Sequence, residues 1–295
     1  EVLADKSVMH RALMFAAIGE GPCPSRPWPA GADYTSTPPV LGQLGVRFQV
    51  QDGAVTVWGQ GAPAGWPAPD APLDCGNSGT TMRLMAGILA ARPGATTQTG
   101  DASLCGRPMS RLQPLEGMGA RLSGPELPSG NMGAPLTVTG AKLQGHDHRL
   151  KIASAQLKSA LLLAGCFAEG TTRVHAPRRS RDHTERMLRF RGVALTETDE
   201  GALEVTGPIT PWANPKSLEV PPDLYSAAFI LGAAAVTQSE VEVRAGGNPT
   251  RSGVRDALIA MGAQIDMADH EDAAGEPVAT LRYRPGPLRA TEIAG

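Results

Sequence analysis

The stretch Asp74-Cys75-Gly76-Asn77-Ser78-Gly79-Thr80-Thr81-Met82-Arg83-Leu84-Met85-Ala86-Gly87 is a glycine-rich turn that runs into a helix. Gly76 and Gly79 let the backbone bend and come close to a ligand. Ser78, Thr80 and Thr81 suit the cap and first turn. Met82, Met85 and Leu89 then recur at helical spacing. Free N–H groups at such a helix start favour an anion, and Arg83 adds a cation one turn in. The stretch reads either as a phosphate or carboxylate site or as an ordinary capped helix after a tight turn.

Outward from this stretch, the same pattern recurs. Small-residue-rich helices begin near His10, Thr80, Gln156 and Tyr225, at intervals of roughly 70 residues, which marks one supersecondary unit repeated. A second helix in each unit closes on a glycine, at Gly45, Gly119, Gly192 and Gly262, as a left-handed C-terminus requires. Short alternating strands follow, such as Ala54–Trp58, Leu136–Thr139 and Leu203–Thr206. With a strand leading into each first helix the unit is βαβαββ. Units of this size pack around an axis, with their near-continuously apolar first helices buried together. The longest apolar run, Ala227 to Val236, is expected to be such a buried helix.

The first copy departs from the pattern. Pro22-Cys23-Pro24-Ser25-Arg26-Pro27-Trp28-Pro29 stands where the third copy has a strand, and proline predicts that strand to be weakened or lost. The pattern resumes near Gly31-Ala32-Asp33-Tyr34. Gln60 to Pro72 reads as a surface loop. Ile209 to Pro215 reads as a crossing between two domains, 6–208 with three units and 213–295 with the first unit of another.

Composition narrows the classes. Hydrophobic residues make up 41% of 295, enough for a sizeable core, while aromatics make up only 4%, so Leu, Ala, Val and Met must build it. A net charge of −2 gives no reason to expect nucleic acid or an acidic membrane as partner. No apolar run approaches the ~18 residues of a membrane span. The four cysteines form no CxxC pair and read as free thiols in a reducing, cytoplasmic compartment. The Glu1 end is expected to lie inside an element already under way.

Several helix starts carry polar groups. Lys6, Ser7 and Arg11 open the first helix; Lys6 and Arg11 point at one ligand only if Lys6 precedes it. Arg107 precedes Pro108, whose ring suits a helix start, and its fork matches a carboxylate or phosphate. Ser154 and Gln156 open the third buried helix. Ser180 precedes the next, which Asp182 or Thr184 can cap. Each alone is a cap or a solvated basic turn; helices packed around one axis would aim them at one face, as an anion trap. There is no GxxxxGK[ST] and no GxGxxG. His146-Asp147-His148 reads as a surface turn, not a metal site, and His183 is the one histidine placed near the site.

These residues resemble the 5-enolpyruvylshikimate-3-phosphate (EPSP) synthase family. The matching runs are Asp5 to Met14, Gly76 to Arg83, Arg107 to Leu112, Ser154 to Ala160, Ser180 to Arg186 and Asn248 to Gly253. The resemblance implies an inside-out α/β barrel of two domains, each of three βαβαββ units. It implies transfer of the enolpyruvyl group of phosphoenolpyruvate to the 5-hydroxyl of shikimate 3-phosphate, with release of phosphate and without metal or cofactor. By motif, Lys6 would touch both substrates and Gln156 would sit between them, the pair placed at the chemistry. Ser7, Arg11, Ser154 and Ser180 would hold shikimate 3-phosphate. Asn77, Gly79, Thr80 and Arg107 would hold phosphoenolpyruvate, and glyphosate would meet the same set, with Gly79 the sensitive position. A cytoplasmic monomer is expected.

Departures accompany the match. Leu3-Ala4 replaces the usual Pro-Gly, Met9 a usual Ser, and Leu224-Tyr225 a pair of small polar residues. The family's catalytic Asp and Glu stretches are expected beyond Gly295, so the chain is expected to carry one domain, a third of the other and half an active site. Two other readings stand beside this: a non-catalytic remnant, or the enzyme acting on UDP-N-acetylglucosamine, whose reactive Cys lies at a different spacing from that of Cys105 to Arg107.

Overall fold

The computed structural model describes residues 2–28 and 36–292, apart from the Arg251 side chain; the resumption of the repeat at Gly31 to Tyr34 lies outside them. The described helices are α1 (Lys6–Ile18), α2 (Thr37–Gln43), α3 (Gly79–Leu89), α4 (Ala102–Cys105), α5 (Ala155–Gly165), α6 (His183–Phe190), α7 (Leu224–Thr237) and α8 (Gly253–Ala260).

The described strands form four sheets, one per unit. In the second unit Leu73–Asp74 leads into α3 and pairs parallel with Gly94–Thr99; Leu136–Gly140 and Arg121–Ser123 add antiparallel. The third repeats this with Asp147–Arg149 parallel to Gly170–His175, then Leu203–Gly207 and Leu195–Glu197 antiparallel. The first unit takes its lead strand from far along the chain, because Leu218–Glu219 pairs parallel with Glu20–Arg26. The fourth is a three-stranded antiparallel sheet of Val241–Gly246, Glu276–Arg284 and Gln264–Ala273. The fold is thus α/β with mixed sheets. The closing glycines all adopt positive φ: Gly45 at 85°, Gly119 at 108°, Gly192 at 81° and Gly262 at 102°.

Helices α1, α3 and α5 lie together in the main core. Val8 to Ile18 of α1 are all buried. Gly87 of α3 sits against the α5 backbone: a Cβ there would stand 2.2 Å from the Ala160 oxygen. Only glycine allows that approach. A second, smaller core gathers Leu224, Ala227 and Leu231 of α7 with Leu281 and Tyr283.

Three expectations are corrected. The proline-rich strand is intact: Glu20–Arg26 pairs with Ala54–Gln60 along its length. Its even-numbered residues face the other neighbour, where Glu20 and Arg26 bond the 212–220 segment. That segment pairs as a strand only with Ser25 and Arg26, so Pro22 and Pro24 fall where no ladder donor is needed. Beside that strand the segment read as a crossing packs down, which leaves that reading unchanged: Trp212 meets Phe15 edge-on with ring centroids 6.0 Å apart, and Asn214 donates to the Ala16 and Gly21 carbonyls. The second helix of unit two is a 3₁₀ run, Ser110–Met118, with Pro114 inside it, where the missing N–H disfavours an α-helix. Helix α7 is buried on one side only. Phe229 is 82% exposed and Val236 86% exposed, because no other described element covers that face.

Beside the second core, the chain's two connections run together. Asp5 N donates to the Pro221 carbonyl at 2.8 Å and Asp223 N to the Leu3 carbonyl at 2.7 Å. This fixes the start of α1 next to the start of α7.

Candidate active site

Three helix starts meet at one cleft. Asp5 caps α1, accepting from Ser7 N at 2.8 Å and Val8 N at 3.2 Å. Ser78 caps α3, accepting from Thr81 N at 3.1 Å. Ser154 caps α5, accepting from Leu157 N at 3.3 Å. The turn before α3 is held by the Asp74 carboxylate, which accepts from Gly76 N at 2.8 Å, with Gly76 at φ 54°. A cleft of about 510 Å³ lies over these termini.

Seven of the expected site residues line it: Lys6, Ser7, Asn77, Gly79, Thr80, Arg107 and Gln156. Arg107 reaches it from the turn after α4, not from a helix start. Its guanidinium donates to the Asn77 side-chain oxygen and, at 3.2 Å, to Ser103 Oγ. Asn77 in turn donates to Asp101 at 2.6 Å. That bond, with the Leu104 N–H, holds the Asp101 carboxyl below its usual range. Gln156 stands between Arg83, which donates to its Oε1 at 2.9 Å, and Thr80, which accepts from its Nε2 at 3.2 Å.

Three expected residues stand elsewhere. Lys6 is the first residue of α1, so Arg11 points away from it into the core. The Arg11 guanidinium donates to Thr184 Oγ1 at 2.8 Å, Ser159 Oγ at 3.1 Å and the Ser7 carbonyl at 2.8 Å. Burial pushes its pKa down to about 10. Ser154 faces a smaller cavity of about 250 Å³ beside Arg83, Arg107 and Arg111. Ser180 lines a third cavity with Lys158 and Glu185. Neither Asp182 nor Thr184 caps α6 through its side chain; Thr184 instead donates to Ser159 Oγ at 2.6 Å.

The cleft also holds residues outside the expected set, among them His10, Ser36, Asp74, Ser78, Arg83 and Arg181. Arg83 was legible as a cation one turn into α3. Burial, then the nearby Arg107 and Arg111, lowers its pKa. His10 carried no signal beyond its place in a helical run. His183, by contrast, faces the fourth unit, 2.7 Å from Glu276 Oε1 and 2% exposed. His148 is buried in a lead strand, not on a surface turn, because it is the inward-facing middle residue of Asp147–Arg149, the edge strand of the third sheet. Among the described residues no three His, Cys, Asp or Glu gather as a metal site. No described helix is long and apolar enough to cross a membrane.

Chemically, the cleft offers helix N–H groups, Lys6, Arg83, Arg107 and Arg181, and neutral donors on Ser7, Asn77 and Gln156. Such a surface suits a ligand set with several negative charges. Asp74 is the one carboxylate among its described lining residues, and it is engaged by Gly76.

Comparison with known proteins agrees with this geometry. The family model for EPSP synthase (3-phosphoshikimate 1-carboxyvinyltransferase) matches residues 1–293. The 3-phosphoshikimate 1-carboxyvinyltransferase of Bacillus velezensis is 44% identical over 294 residues, 99% of this chain and 67% of the relative. That of Desulfitobacterium hafniense is 45% identical over 304 residues, 100% of this chain and 67% of the relative. The EPSP synthase structure from Acinetobacter baumannii superposes with a TM-score of 0.86 at 40% identity, covering 96% of this chain and 63% of that one. The chain therefore spans close to two thirds of the length of the relatives it matches. By sequence and by fold, the chain belongs to the EPSP synthase family.

Proposed function

We propose that the cleft serves transfer of the enolpyruvyl group from phosphoenolpyruvate to the 5-hydroxyl of shikimate 3-phosphate, releasing phosphate. The observation that carries this reading is the convergence of three helix N-termini and four cations on one cleft. Both substrates carry a phosphate and a carboxylate, and that chemistry matches the lining.

In this reading Lys6 stands between the two substrates and Gln156 fixes their approach, with its amide held by Arg83 and Thr80. Asn77, Gly79, Thr80 and Arg107 take phosphoenolpyruvate; Ser7, Ser154 and Ser180 take shikimate 3-phosphate. Arg11 acts one layer back, because its guanidinium is committed to Thr184, Ser159 and Ser7. Charge neutralisation and positioning are this cleft's contribution. Residues 6–208, completed by the lead strand Leu218–Glu219, form the substrate-binding domain and 213–295 otherwise the first unit of a second, in a cytoplasmic monomer.

Phosphate release in the presence of both compounds tests the reading. Release that needs both and is lost in Arg107→Ala supports it. Shikimate 3-phosphate binding without release restricts this chain to the binding half of the reaction. Absence of both binding and release contradicts it.

A further inference from the structure

A chain of side-chain hydrogen bonds runs from His10 on α1 to Ser78 at the start of α3, and its direction is fixed by proton count. Thr81 Oγ1 donates to Ser78 Oγ at 2.8 Å, which uses its one proton. The 2.8 Å contact between Thr37 and Thr81 therefore has Thr37 as donor. Ser36 Oγ, 3.2 Å from Thr81 Oγ1, must donate as well. Thr81 then gives one bond and accepts two close ones, its full capacity, and the longer 3.5 Å contact from His10 Nδ1 to Thr81 Oγ1 has the ring as donor too. With the Thr37 proton spent, the 2.7 Å contact to His10 requires the ring's Nδ1 to donate.

At the far end, Ser78 Oγ accepts from both Thr81 Oγ1 and Thr81 N. Both lone pairs are occupied, so what Ser78 has left to offer is its proton. Ser78 lines the cleft. Thr37 and Thr81 are 0% exposed and His10 is 3% exposed, so water does not compete for the chain, and each bond polarises the next.

We propose that Ser78 donates its hydroxyl proton to an anion bound in the cleft, set as a donor by a one-way chain that begins at His10 Nδ1. Ser78 is thus a further binding residue, and His10, Thr37 and Thr81 are positioning residues for it. The inference rests on the reading of the cleft as a site for two anionic substrates. The residue that caps α3 also addresses the ligand, and α1 and α3 are tied together beneath it.

Two measurements test this on the purified chain. The first is the protonation of His10 by ¹⁵N NMR at a pH where the ring is neutral. The proton is expected on Nδ1, and Thr81→Val, which takes away the acceptor of Thr37, is expected to move it toward Nε2. A proton on Nε2 in the unmutated chain would overturn the chain's direction. The second is calorimetric titration with phosphoenolpyruvate and with shikimate 3-phosphate. Ser78→Gly keeps an acceptable cap but no hydroxyl. It is expected to weaken at least one of the two compounds by roughly tenfold or more, as loss of a hydrogen bond to a charged group does. Ser78→Thr is expected to restore it. Unchanged affinity in Ser78→Gly would overturn the donor role. If the unmutated chain binds neither compound, the reading of the cleft falls and the ligand assigned to Ser78 falls with it, while the NMR result still decides the chain's direction.

Discussion

Arg83 donates to the Oε1 of Gln156 across 2.9 Å, joining α3 to α5 at the floor of the cleft. The bond also fixes which way the Gln156 amide faces, since its Nε2 is turned to Thr80. Arg83→Gln is expected to weaken phosphoenolpyruvate by about tenfold or more, by loss of one charged donor and of the Gln156 orientation. Stability should hold or rise slightly, because Arg83 is crowded by Arg107 and Arg111. Calorimetry and a thermal melt check both. A large fall in melting temperature with unchanged affinity would make Arg83 a support of the fold instead.

Gly79→Ala acts on the same pair. A Cβ at Gly79 would stand 2.7 Å from Arg83 Nη1 and 3.5 Å from Arg107 Nη1. The guanidinium must move, which strains its bond to Gln156. Since Gly79 lies in the first turn of α3, the gain alanine brings at an unstrained site, about 0.4–1 kcal/mol, is offset by this displacement, and the stability should change little. Affinity for phosphoenolpyruvate should fall, and for glyphosate should fall further. Equal loss for both ligands in competition binding would count against a steric effect at this position.

These outcomes turn on what the sequence made legible. The repeat could be read because each unit repeats an apolar helix, a closing glycine and short alternating strands, and local chemistry sets all three. The cleft could be read at Lys6, Asn77, Gly79 and Gln156, which sit at helix starts that the repeat brings together. Arg11 stands behind the cleft because its guanidinium is held by Thr184 and Ser159, partners distant in sequence that its place in α1 does not reveal. Pro22 and Pro24 were misjudged because their tolerance depends on a partner segment some 190 residues away, Trp212 to Val220. His10 was missed because its role comes from Thr37 and Thr81, distant in sequence.

Lys158 and Glu185 form a buried ion pair at 2.5 Å, with side chains 6% and 3% exposed. Glu185→Gln leaves the Lys158 ammonium buried beside a neutral group. A loss of about 3–5 kcal/mol is expected, read as a lower urea midpoint with an unchanged slope. Replacing the two together, Lys158→Met with Glu185→Leu, should cost less than the single change. If the double variant is the less stable, the pair contributes more than its desolvation costs.

Stability should fall on acidification through His148. Burial, then the neighbouring His146, pushes its pKa from 6.5 down to about 4. As the pH drops below 6.5, the unfolded chain takes up a proton that the native ring refuses, so the native state loses ground. The loss should build down to about pH 4, where the native ring also protonates, and level off below it. Urea unfolding at a series of pH values, compared with His148→Gln, isolates this part. An identical slope in the variant over that window would assign the acid sensitivity to other groups.

The most direct test of the central claim, that this cleft binds the two anionic substrates, is calorimetric titration of shikimate 3-phosphate and then phosphoenolpyruvate into the purified chain, beside Arg107→Ala. The account predicts measurable binding of both, with phosphoenolpyruvate weakened by about tenfold or more in the variant and shikimate 3-phosphate little changed. No binding of either compound at millimolar concentration, or equal affinities in the two proteins, would contradict it.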